Sequence, residues 1–214
     1  MYSHFFYKKK NGVFLEMGAL NGLKYSNTWW LEKEAGWRGV LIEPAGPSYN
    51  DLKRNRPQAL MFNAAICSEF TTVHYTENSR SAAIEGVWEF MSDSYRKRWH
   101  PEVTDPSGLP EVSCVPLNYL LHRYGIDEID FWSLDVEGGE LEVLKEFNFN
   151  KVRVNTMVVE MDRYSSEKNT QILALLAQYD LYPVHTDSKN KFFVRRGFFG
   201  QLSSAPGNTV KYMN

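Results

Sequence analysis

The sequence predicts an α/β fold in which a mostly parallel sheet of seven strands is covered by helices on both faces. Short apolar runs alternate with amphipathic segments from residue 13 to residue 196, as expected when helices connect parallel strands. The last two apolar runs, LYPVH and KFFVRR, flank the polar segment TDSKN, whose length favours an antiparallel hairpin. We therefore expect a parallel sheet that ends in a C-terminal antiparallel hairpin.

Each strand and helix is predicted from its own stretch of this alternation. The predicted strands are residues 13–17, 38–43, 59–63, 129–134, 153–160, 181–185 and 191–196. The predicted helices are residues 24–36, 47–55, 116–124, 139–147 and 167–179. Between residues 78 and 112 the alternation stops, and prolines fall near the aromatic residues Trp88, Phe90, Tyr95 and Trp99. We expect this irregular insertion either to contact a flat substrate such as a sugar or to pack onto the domain, and the sequence favours neither alternative.

Composition predicts one domain spanning residues 1–214, because 214 residues that are 43% hydrophobic can form one well-buried core. A formal net charge of -2 gives no basic footprint, so nucleic acid is not an expected partner. Cys67 and Cys114 lack metal-ligand spacing and are expected to be reduced core residues. The sequence has no membrane span of roughly 18 apolar residues and no signal peptide, which predicts a cytoplasmic protein. The early first strand leaves open that the chain is a domain of a longer polypeptide.

The segment VFLEMGALNG, residues 13–22, combines an apolar strand, an acid and a glycine turn, a pattern typical of a nucleotide-like cofactor site. A dinucleotide needs three close glycines and no negative charge near its pyrophosphate, whereas Glu16 ends this strand and Leu20 interrupts the G-x-G-x-x-G spacing. S-adenosylmethionine carries an ammonium and a sulfonium and no phosphate. The segment therefore favours S-adenosylmethionine, and a nicotinamide-dependent oxidoreductase is the weaker hypothesis.

Acidic residues also follow three further predicted strands. Glu43 ends the strand of GVLIEP, about 20 residues after the glycine turn, where an acid binds the ribose hydroxyls of an adenosine cofactor. Asp135 and Glu137 follow the strand of IDFWSLDVEGGELEVL. Glu160 ends the next strand, with Asp162 two residues beyond. Because the carboxyl ends of parallel strands share one edge of a sheet, these acids are expected to line one pocket.

The chain resembles the FkbM-like family of S-adenosylmethionine-dependent methyltransferases over about residues 12 to 196. The resemblance rests on FLEMGALNG, LIEP, FNAAI and VPLNYLL, and above all on DFWSLDVEGGELEVLKEF followed by VVE. It departs from the family pattern at Leu121, where an acid is usual, and Glu16 stands where many methyltransferases have aspartate. The resemblance implies a class I methyltransferase fold, which is Rossmann-like, and methylation of hydroxyl groups on sugars or polyketide-type natural products. Some animal relatives are similar to trafficking or adaptor proteins, so a non-catalytic binding or adaptor module is the alternative.

The resemblance also implies a cofactor site spread over several strand ends. Its residues are Glu16, Gly18, Ala19 and Gly22 at the methionine end, Glu43 and Pro44 at the ribose, Asn63 and Ala64 at the adenine, and Ser26 and Asn27 at the start of the first helix. Ser26 and Asn27 are expected either to cap the cofactor carboxylate or to cap that helix. Asp135 is a further candidate, because it can contact the cofactor amino group.

Methyl transfer to a hydroxyl needs a group that takes the hydroxyl proton. We expect this activation where Asp135 and Glu160 meet, with Glu137 either catalytic or capping a helix. His185, in the sixth strand, is the candidate general base among the histidines. A divalent cation, Mg²⁺ or Mn²⁺, held by Asp135, Glu160 and Asp162 is a second way to stabilise the alkoxide. The sequence thus predicts an O-methyltransferase that acts on a hydroxyl of a sugar, a glycan or a similar small natural product.

Overall fold

The computed structural model describes Phe6, residues 9–77, Ser81, residues 84–161 and residues 166–198. Its strands are β1 (Val13–Met17), β2 (Arg38–Ile42), β3 (Leu60–Phe62), β4 (Ala65–Ile66), β5 (Thr71–His74), β6 (Glu111–Val115), β7 (Glu128–Leu134), β8 (Arg153–Glu160), β9 (Leu181–Asp187) and β10 (Asn190–Arg195). Its α-helices are α1 (Trp29–Ala35), α2 (Gly46–Asn55), α3 (Asp93–Trp99), α4 (Leu117–Arg123), α5 (Glu140–Glu146) and α6 (Ser166–Gln178). Short 3-10 helices lie at Trp88–Phe90 and Pro106–Gly108.

The main sheet has seven strands in the order β3-β2-β1-β7-β8-β10-β9. Neighbours from β3 to β8 run parallel, whereas β10 pairs antiparallel with both β8 and β9. The predicted parallel sheet and its C-terminal hairpin are therefore confirmed. The strand order reverses between β1 and β7, which places a crevice at the carboxyl ends of these two strands.

Alternating residues of the central strands pack on opposite faces of this sheet. Leu15 and Trp132 belong to a core with α4, α5 and α6, whereas Phe14 and Phe131 pack with α1 and α2. None of these four side chains is more than 1% exposed. Strands buried on both faces need apolar residues at successive positions, which explains the continuous apolar runs in the sequence. The prediction of helices on both faces is confirmed.

A second, three-stranded sheet that the sequence pattern did not predict lies between β3 and α4. Within it, β4 runs parallel and β5 antiparallel to β6. These strands were missed because β4 has only two residues and because β5 and β6 each mix exposed with buried positions. The insertion expected at residues 78–112 is therefore partly regular, since it contains α3 and the start of β6.

Cys67 and Cys114 form a disulfide bond, so the expectation that both are reduced is wrong. A separation of 47 positions hides their relation in the sequence, but β4 lies beside β6 and brings the two Cα atoms to 5.6 Å. Disulfide bonds persist in oxidising environments, so this bond argues against the cytoplasmic location expected from the sequence. Within the described ranges, no helix is long and apolar enough to cross a membrane.

The first helix begins at Trp29 rather than near residue 24. Leu20 and Tyr25 have positive φ angles of 47° and 60°, so the preceding segment is a series of turns. Ser26 and Asn27 consequently lie in the loop before α1 and do not begin the helix. This segment, residues 20–28, is called the covering loop below.

Candidate cofactor and acceptor site

A cavity of about 370 Å³ opens at the carboxyl ends of β1, β2, β7 and β8, where the strand order reverses. Open α/β sheets bind ligands at this position. The cavity is lined by nine of the residues that the sequence nominated: Glu16, Gly18, Asn27, Glu43, Pro44, Ala64, Asp135, Glu137 and Glu160. The acids from separate strand ends therefore do meet in one place.

Gly18 allows the turn after β1 to lie directly against the end of β7. Its φ is +75°, and a Cβ atom there would be 1.8 Å from the backbone oxygen of Asp135. The amides of Gly18 and Ala19 both donate to the carbonyl of Ile42 at the end of β2, at 3.1 and 3.2 Å. The turn is held between β2 and β7, and position 18 needs glycine for its backbone angle and for this close approach.

Glu16 lines the cavity, but its carboxylate is engaged by the covering loop. Its Oε1 accepts from the amide of Asn27 at 2.7 Å, and its Oε2 accepts from the hydroxyls of Ser26 and Thr28 at 2.8 and 2.6 Å. The fully buried guanidinium of Arg56 lies 4.0 Å from Oε2. Burial raises the pKa of Glu16, and these hydrogen bonds act in the opposite direction. Glu16 thus holds the covering loop and does not present a free carboxylate to a ligand.

Glu43 lies at the end of β2 and is 1% exposed. Its Oε2 accepts from the amide of Leu20 at 2.7 Å, and its Oε1 accepts from the amide of Ala45 at 2.8 Å. Burial is the main reason that the pKa of Glu43 is raised to about 7; the two amides oppose the rise, and the charges of Glu85 and Glu77 add to it. A carboxylate oxygen can accept a second hydrogen bond, so Glu43 can also hold two adjacent hydroxyl groups of a ligand.

Asp135, Glu137 and Glu160 form an acidic cluster at the ends of β7 and β8. The Oδ1 atom of Asp135 is buried and finds no hydrogen-bond partner in the described parts of the chain. Burial, followed by the negative charge of Glu160, raises the pKa of Asp135 well above its usual value. Burial and the charges of Glu160 and Asp135 also raise the pKa of Glu137, to about 9. Carboxyl groups in this arrangement favour a proton, a cation or hydrogen-bond donors between them.

Two lysines neutralise part of this acidic environment. Lys189, in the turn between β9 and β10, donates to Oε1 of Glu160 at 2.8 Å. Lys168 of α6 donates to Oε2 of Glu140 at 2.8 Å, beside the cluster. The pKa of Lys189 is raised, mainly by its hydrogen bond to Glu160. Glu160 and Glu140 therefore each have an ammonium partner.

The described residues fit a resident divalent cation poorly. Carboxylate oxygens of Asp135, Glu140 and Glu160 do lie within 4.8 Å of one another. However, one oxygen of Glu140 accepts two backbone amides and the other is bonded to Lys168, so neither is available as a ligand without breaking these contacts. Asp162, the third predicted metal ligand, lies outside the described residues. The two amide hydrogen bonds instead show that Glu140 stabilises the turn that enters α5.

Tyr95 of α3 reaches the site from the insertion and donates its hydroxyl to Oε2 of Glu137 at 2.9 Å. Glu137 has a φ of 50°. This left-handed backbone conformation is uncommon for residues other than glycine, and it costs free energy. Of the insertion's four aromatic residues, Phe90 lines the cavity, whereas Trp88 is buried elsewhere and Trp99 is 40% exposed. Some rings of the insertion therefore pack onto the domain and Phe90 lines the cavity, whereas contact with a flat substrate stays a prediction.

His185, nominated as the base, is not brought to the cavity. It is exposed on the edge strand β9, where its ring lies 5.7 Å from that of Phe192, centroid to centroid. Strand β10 separates β9 from β8, so the C-terminal hairpin carries this histidine away from the strand ends that form the cavity. The structure gives no support for His185 as the base.

Four more residues nominated from the sequence do not line the cavity but lie in the turns and loops around it. Asn63 donates through its side-chain amide to the carbonyls of Glu43 and Pro44, both at 2.8 Å. Ala19 is buried in the core under α1 and α2. Gly22 has a φ of +77°, and a Cβ there would be 2.6 Å from the side chain of Arg56. Ser26, as described above, binds Glu16.

The cavity also contains residues that sequence reasoning missed: Tyr25, Tyr75, Glu85, Ser133 and Lys189. Tyr75 follows the unpredicted strand β5, so its position could not be foreseen. Lys189 lies in the hairpin turn, where a lysine usually indicates a solvated position. Ser133 could have been found, because it lies two residues before Asp135; its hydroxyl accepts from Asn27 at 3.0 Å.

Comparisons with known proteins agree with this arrangement. The family model described as the methyltransferase FkbM domain matches residues 16–182. No curated protein matches the chain significantly. Solved structures of low sequence identity are also similar, among them the following two. Human methyltransferase 10 domain containing protein has 12% identity and a TM-score of 0.44, over 87% of this chain and 72% of that one. A TehB-like SAM-dependent methyltransferase from Corynebacterium glutamicum has 10% identity and a TM-score of 0.38, over 87% and 82%.

With identities of 12% and 10% and TM-scores of 0.44 and 0.38, these two structures say nothing about the function of this chain. The family match is different, because it covers most of the chain and includes the glycine turn, Glu43 and the acidic cluster. The strand order and the antiparallel hairpin confirm the class I methyltransferase fold that the resemblance implied. The chain belongs to the FkbM methyltransferase family.

Proposed function

We propose that this chain is an S-adenosylmethionine-dependent O-methyltransferase that methylates a hydroxyl group of a sugar, a glycan or a similar small natural product. The observation that carries the proposal is the convergence of Glu43 and the acidic cluster on one cavity of an FkbM-family fold. A pyrophosphate would be repelled by these carboxyl groups, whereas a cofactor with an ammonium and a sulfonium suits them.

The cavity fits this cofactor in two further respects. The described lining contains one basic residue, Lys189, and its ammonium is bonded to Glu160, so that part of the cavity offers no free cation to a phosphate. Glu43 can accept hydrogen bonds from the ribose hydroxyls, and Pro44 and Ala64 offer apolar surface to the adenine. Gly18 lets the backbone approach the methionine end. When bound, S-adenosylmethionine supplies an electrophilic methyl group.

The remaining chemistry belongs to the chain's own side chains. An aliphatic hydroxyl is about as weak an acid as water, so the acceptor needs a base in contact with it. We assign proton acceptance to Asp135, because its buried Oδ1 has no hydrogen-bond partner among the described residues. Its raised pKa means that it must first lose its own proton, which the positive charge of the bound cofactor favours, and the carboxylate that results is a stronger base than an ordinary aspartate. Glu160 lies beside it and holds the acceptor from the end of β8. Contact with the cofactor ammonium is the other role open to Asp135.

These two roles of Asp135 are separable by experiment. If Asp135 takes the proton, Asp135→Asn lowers kcat and leaves S-adenosylmethionine affinity near that of the intact chain. If Asp135 holds the ammonium, the same variant weakens binding of S-adenosylmethionine but not of 5′-methylthioadenosine, which lacks the amino group. Glu146→Gln, an acid on the exposed side of α5, is the matched control.

Cofactor binding is the first test of the proposal. Isothermal calorimetry should detect S-adenosylmethionine and S-adenosylhomocysteine, and it should detect no NAD. Glu43→Ala should weaken nucleoside binding at least about tenfold, because it removes charge-assisted hydrogen bonds. An intact chain that binds neither sulfur nucleoside would refute the proposal and favour the adaptor alternative.

Activity is the second test. Methyl transfer to glycans with free hydroxyls should release S-adenosylhomocysteine, measured by a coupled assay. Because Glu140 and Glu160 already have lysine partners, turnover should persist in a chelator. Loss of turnover in chelator that Mg²⁺ or Mn²⁺ restores would contradict the assignment of the proton to a carboxylate and would establish the metal alternative.

A further inference from the structure

Acidic side chains outnumber basic ones in the described lining of the cavity. Six acids line its described part, namely Glu16, Glu43, Glu85, Asp135, Glu137 and Glu160, whereas Lys189 is the basic residue of that lining. S-adenosylmethionine brings two positive groups and one negative group, which adds about one net positive charge. More carboxyl groups than cations therefore remain in the described lining after the proposed cofactor is counted, and the raised pKa values of Asp135 and Glu137 show that these two hold protons until a cation pairs with them.

Asp135 and Glu137 are the two carboxyl groups of this lining that have the fewest partners. Glu43 is held by the amides of Leu20 and Ala45. Glu16 has three hydrogen bonds and a nearby guanidinium, and Glu160 is bonded to Lys189. In contrast, neither Asp135 nor Glu137 has an ion-pair partner among the residues that the structure describes. Glu137 accepts one hydrogen bond, from the neutral hydroxyl of Tyr95, and Oδ1 of Asp135 accepts none.

These two carboxyl groups belong to one segment and face the same cavity, so a ligand can contact both. A protonated amine supplies three N–H donors and a positive charge in a small volume. A carboxylate or phosphate group at the same place would add repulsion to a site that already holds an excess of acids. The arrangement therefore discriminates between acceptors by their charge.

We infer that the acceptor carries a protonated amine close to the hydroxyl that is methylated, as in an amino sugar, and that acidic acceptors such as uronic acids are rejected. This inference rests on the proposed function and specifies its substrate class. Glu137 and Tyr95 are then positioned to hold the ammonium, which leaves Asp135 to take the hydroxyl proton.

The transfer step balances with the groups already named. The bond between sulfur and the methyl carbon breaks, and its electron pair stays on sulfur. A bond forms between that carbon and the acceptor oxygen, and the hydroxyl proton moves to the carboxylate of Asp135. The ammonium of the acceptor stays protonated throughout, so it serves recognition and is not methylated.

Three methyl glycosides test the inference: that of glucose, that of glucosamine, in which an amine replaces the C2 hydroxyl, and that of glucuronic acid, in which C6 is a carboxylate. Binding of each to the complex with S-adenosylhomocysteine is measured by calorimetry, and methyl transfer from S-adenosylmethionine is measured in parallel. We expect the glucosamine glycoside to bind at least about tenfold more tightly than the glucose glycoside, because hydrogen bonds to charged groups are the stronger ones. The glucuronic acid glycoside should bind most weakly.

Variants at the cluster provide the matched comparison. Glu137→Gln should remove most of the preference for the amine while keeping a hydrogen-bonding side chain, and Tyr95→Phe should reduce it less. Glu146→Gln, on the surface of α5, should leave the preference unchanged. A shift of the glycoside preference without loss of S-adenosylhomocysteine binding separates this effect from unfolding.

The outcomes distinguish this inference from the function on which it rests. Equal or tighter binding of the acidic glycoside, or no binding of the glucosamine glycoside, overturns the inference although the sulfur nucleoside binds. An unchanged preference in Glu137→Gln overturns the assignment to Glu137. Methylation at nitrogen, detected by mass spectrometry, overturns the recognition role of the amine. Failure of the sulfur nucleosides to bind at all refutes the proposed function instead.

Discussion

If Glu43 binds the cofactor ribose as proposed, we expect this binding to depend on pH, and the size of the effect follows from the surroundings of Glu43. Burial raises the pKa of Glu43 to about 7 in the chain without ligand. The ionised form is the one that accepts hydrogen bonds from hydroxyls on both oxygens, since the amides of Leu20 and Ala45 already occupy one site on each. Ligand binding should therefore release a proton below about pH 7.

The expected magnitude is large enough to measure. A group with a pKa near 7 is roughly nine-tenths protonated at pH 6 and roughly one-tenth protonated at pH 8. If only the carboxylate binds the ribose, the association constant at pH 8 should exceed that at pH 6 by about tenfold, or about 1.4 kcal/mol. The affinity rises with pH because the pKa of Glu43 is raised above its ordinary value.

The assay uses 5′-methylthioadenosine, which has the adenine and the ribose but neither the amino group nor the carboxyl group of S-adenosylmethionine. Calorimetry between pH 6 and pH 8.5, in buffers with different ionisation enthalpies, measures both the affinity and the protons released. Glu43→Gln cannot ionise and should give a flat profile, with Glu146→Gln as the surface control. A flat profile in the intact chain, or an equal slope in Glu43→Gln, would refute the assignment of Glu43 to the ribose.

Three further predictions concern stability, and urea unfolding measures each of them. Gly18→Ala should lower the free energy of unfolding by about 3 to 5 kcal/mol, because position 18 has a left-handed backbone and a Cβ there would lie 1.8 Å from a backbone oxygen. Gly125→Ala, at φ +64° with open space around it, should lower it by only about 1 to 2 kcal/mol. Equal losses would contradict the close approach at Gly18. Because the folded-state pKa of Glu137 is raised to about 9, its protonated form stabilises the fold, and this contribution is present below pH 4.5 and is lost as pH rises through 9. Glu137→Gln should flatten that decline, and an unaltered decline would assign it to other groups. Reduction of the Cys67–Cys114 disulfide, which closes a loop of 47 positions, should lower the free energy of unfolding by about 4 kcal/mol, and an unchanged urea midpoint would show that the bond does not form in solution.

The predictable part of this protein was encoded in local patterns. Strands β1, β7 and β8 are buried on both faces, so their residues must be apolar at successive positions, and this is visible without a structure. The glycine turn after β1 and the acids directly after apolar runs are also visible in short stretches of sequence. Since parallel strands place their carboxyl ends at one edge, these signals were sufficient to indicate a shared cavity and the residues at its rim.

The roles of individual acids were not encoded locally, because they depend on partners that are distant in the sequence. Glu16 and Glu43 both end apolar strands, yet Glu16 is held by the covering loop and Arg56, whereas Glu43 keeps lone pairs for a ligand. Arg56 lies in a short basic run that looks solvated in the sequence, but it is fully buried. No periodicity distinguishes these two environments.

The sequence by itself determined the α/β architecture, the family and the strand ends that line the cavity, because burial on both faces of a sheet constrains every residue of a strand. Only the tertiary structure decided that Cys67 meets Cys114, that His185 lies away from the cavity and that lysines partner Glu140 and Glu160. Those outcomes depend on which strands and turns become neighbours. Which strands and turns become neighbours is a property of the folded chain, so the residues around each position in the sequence do not reveal it.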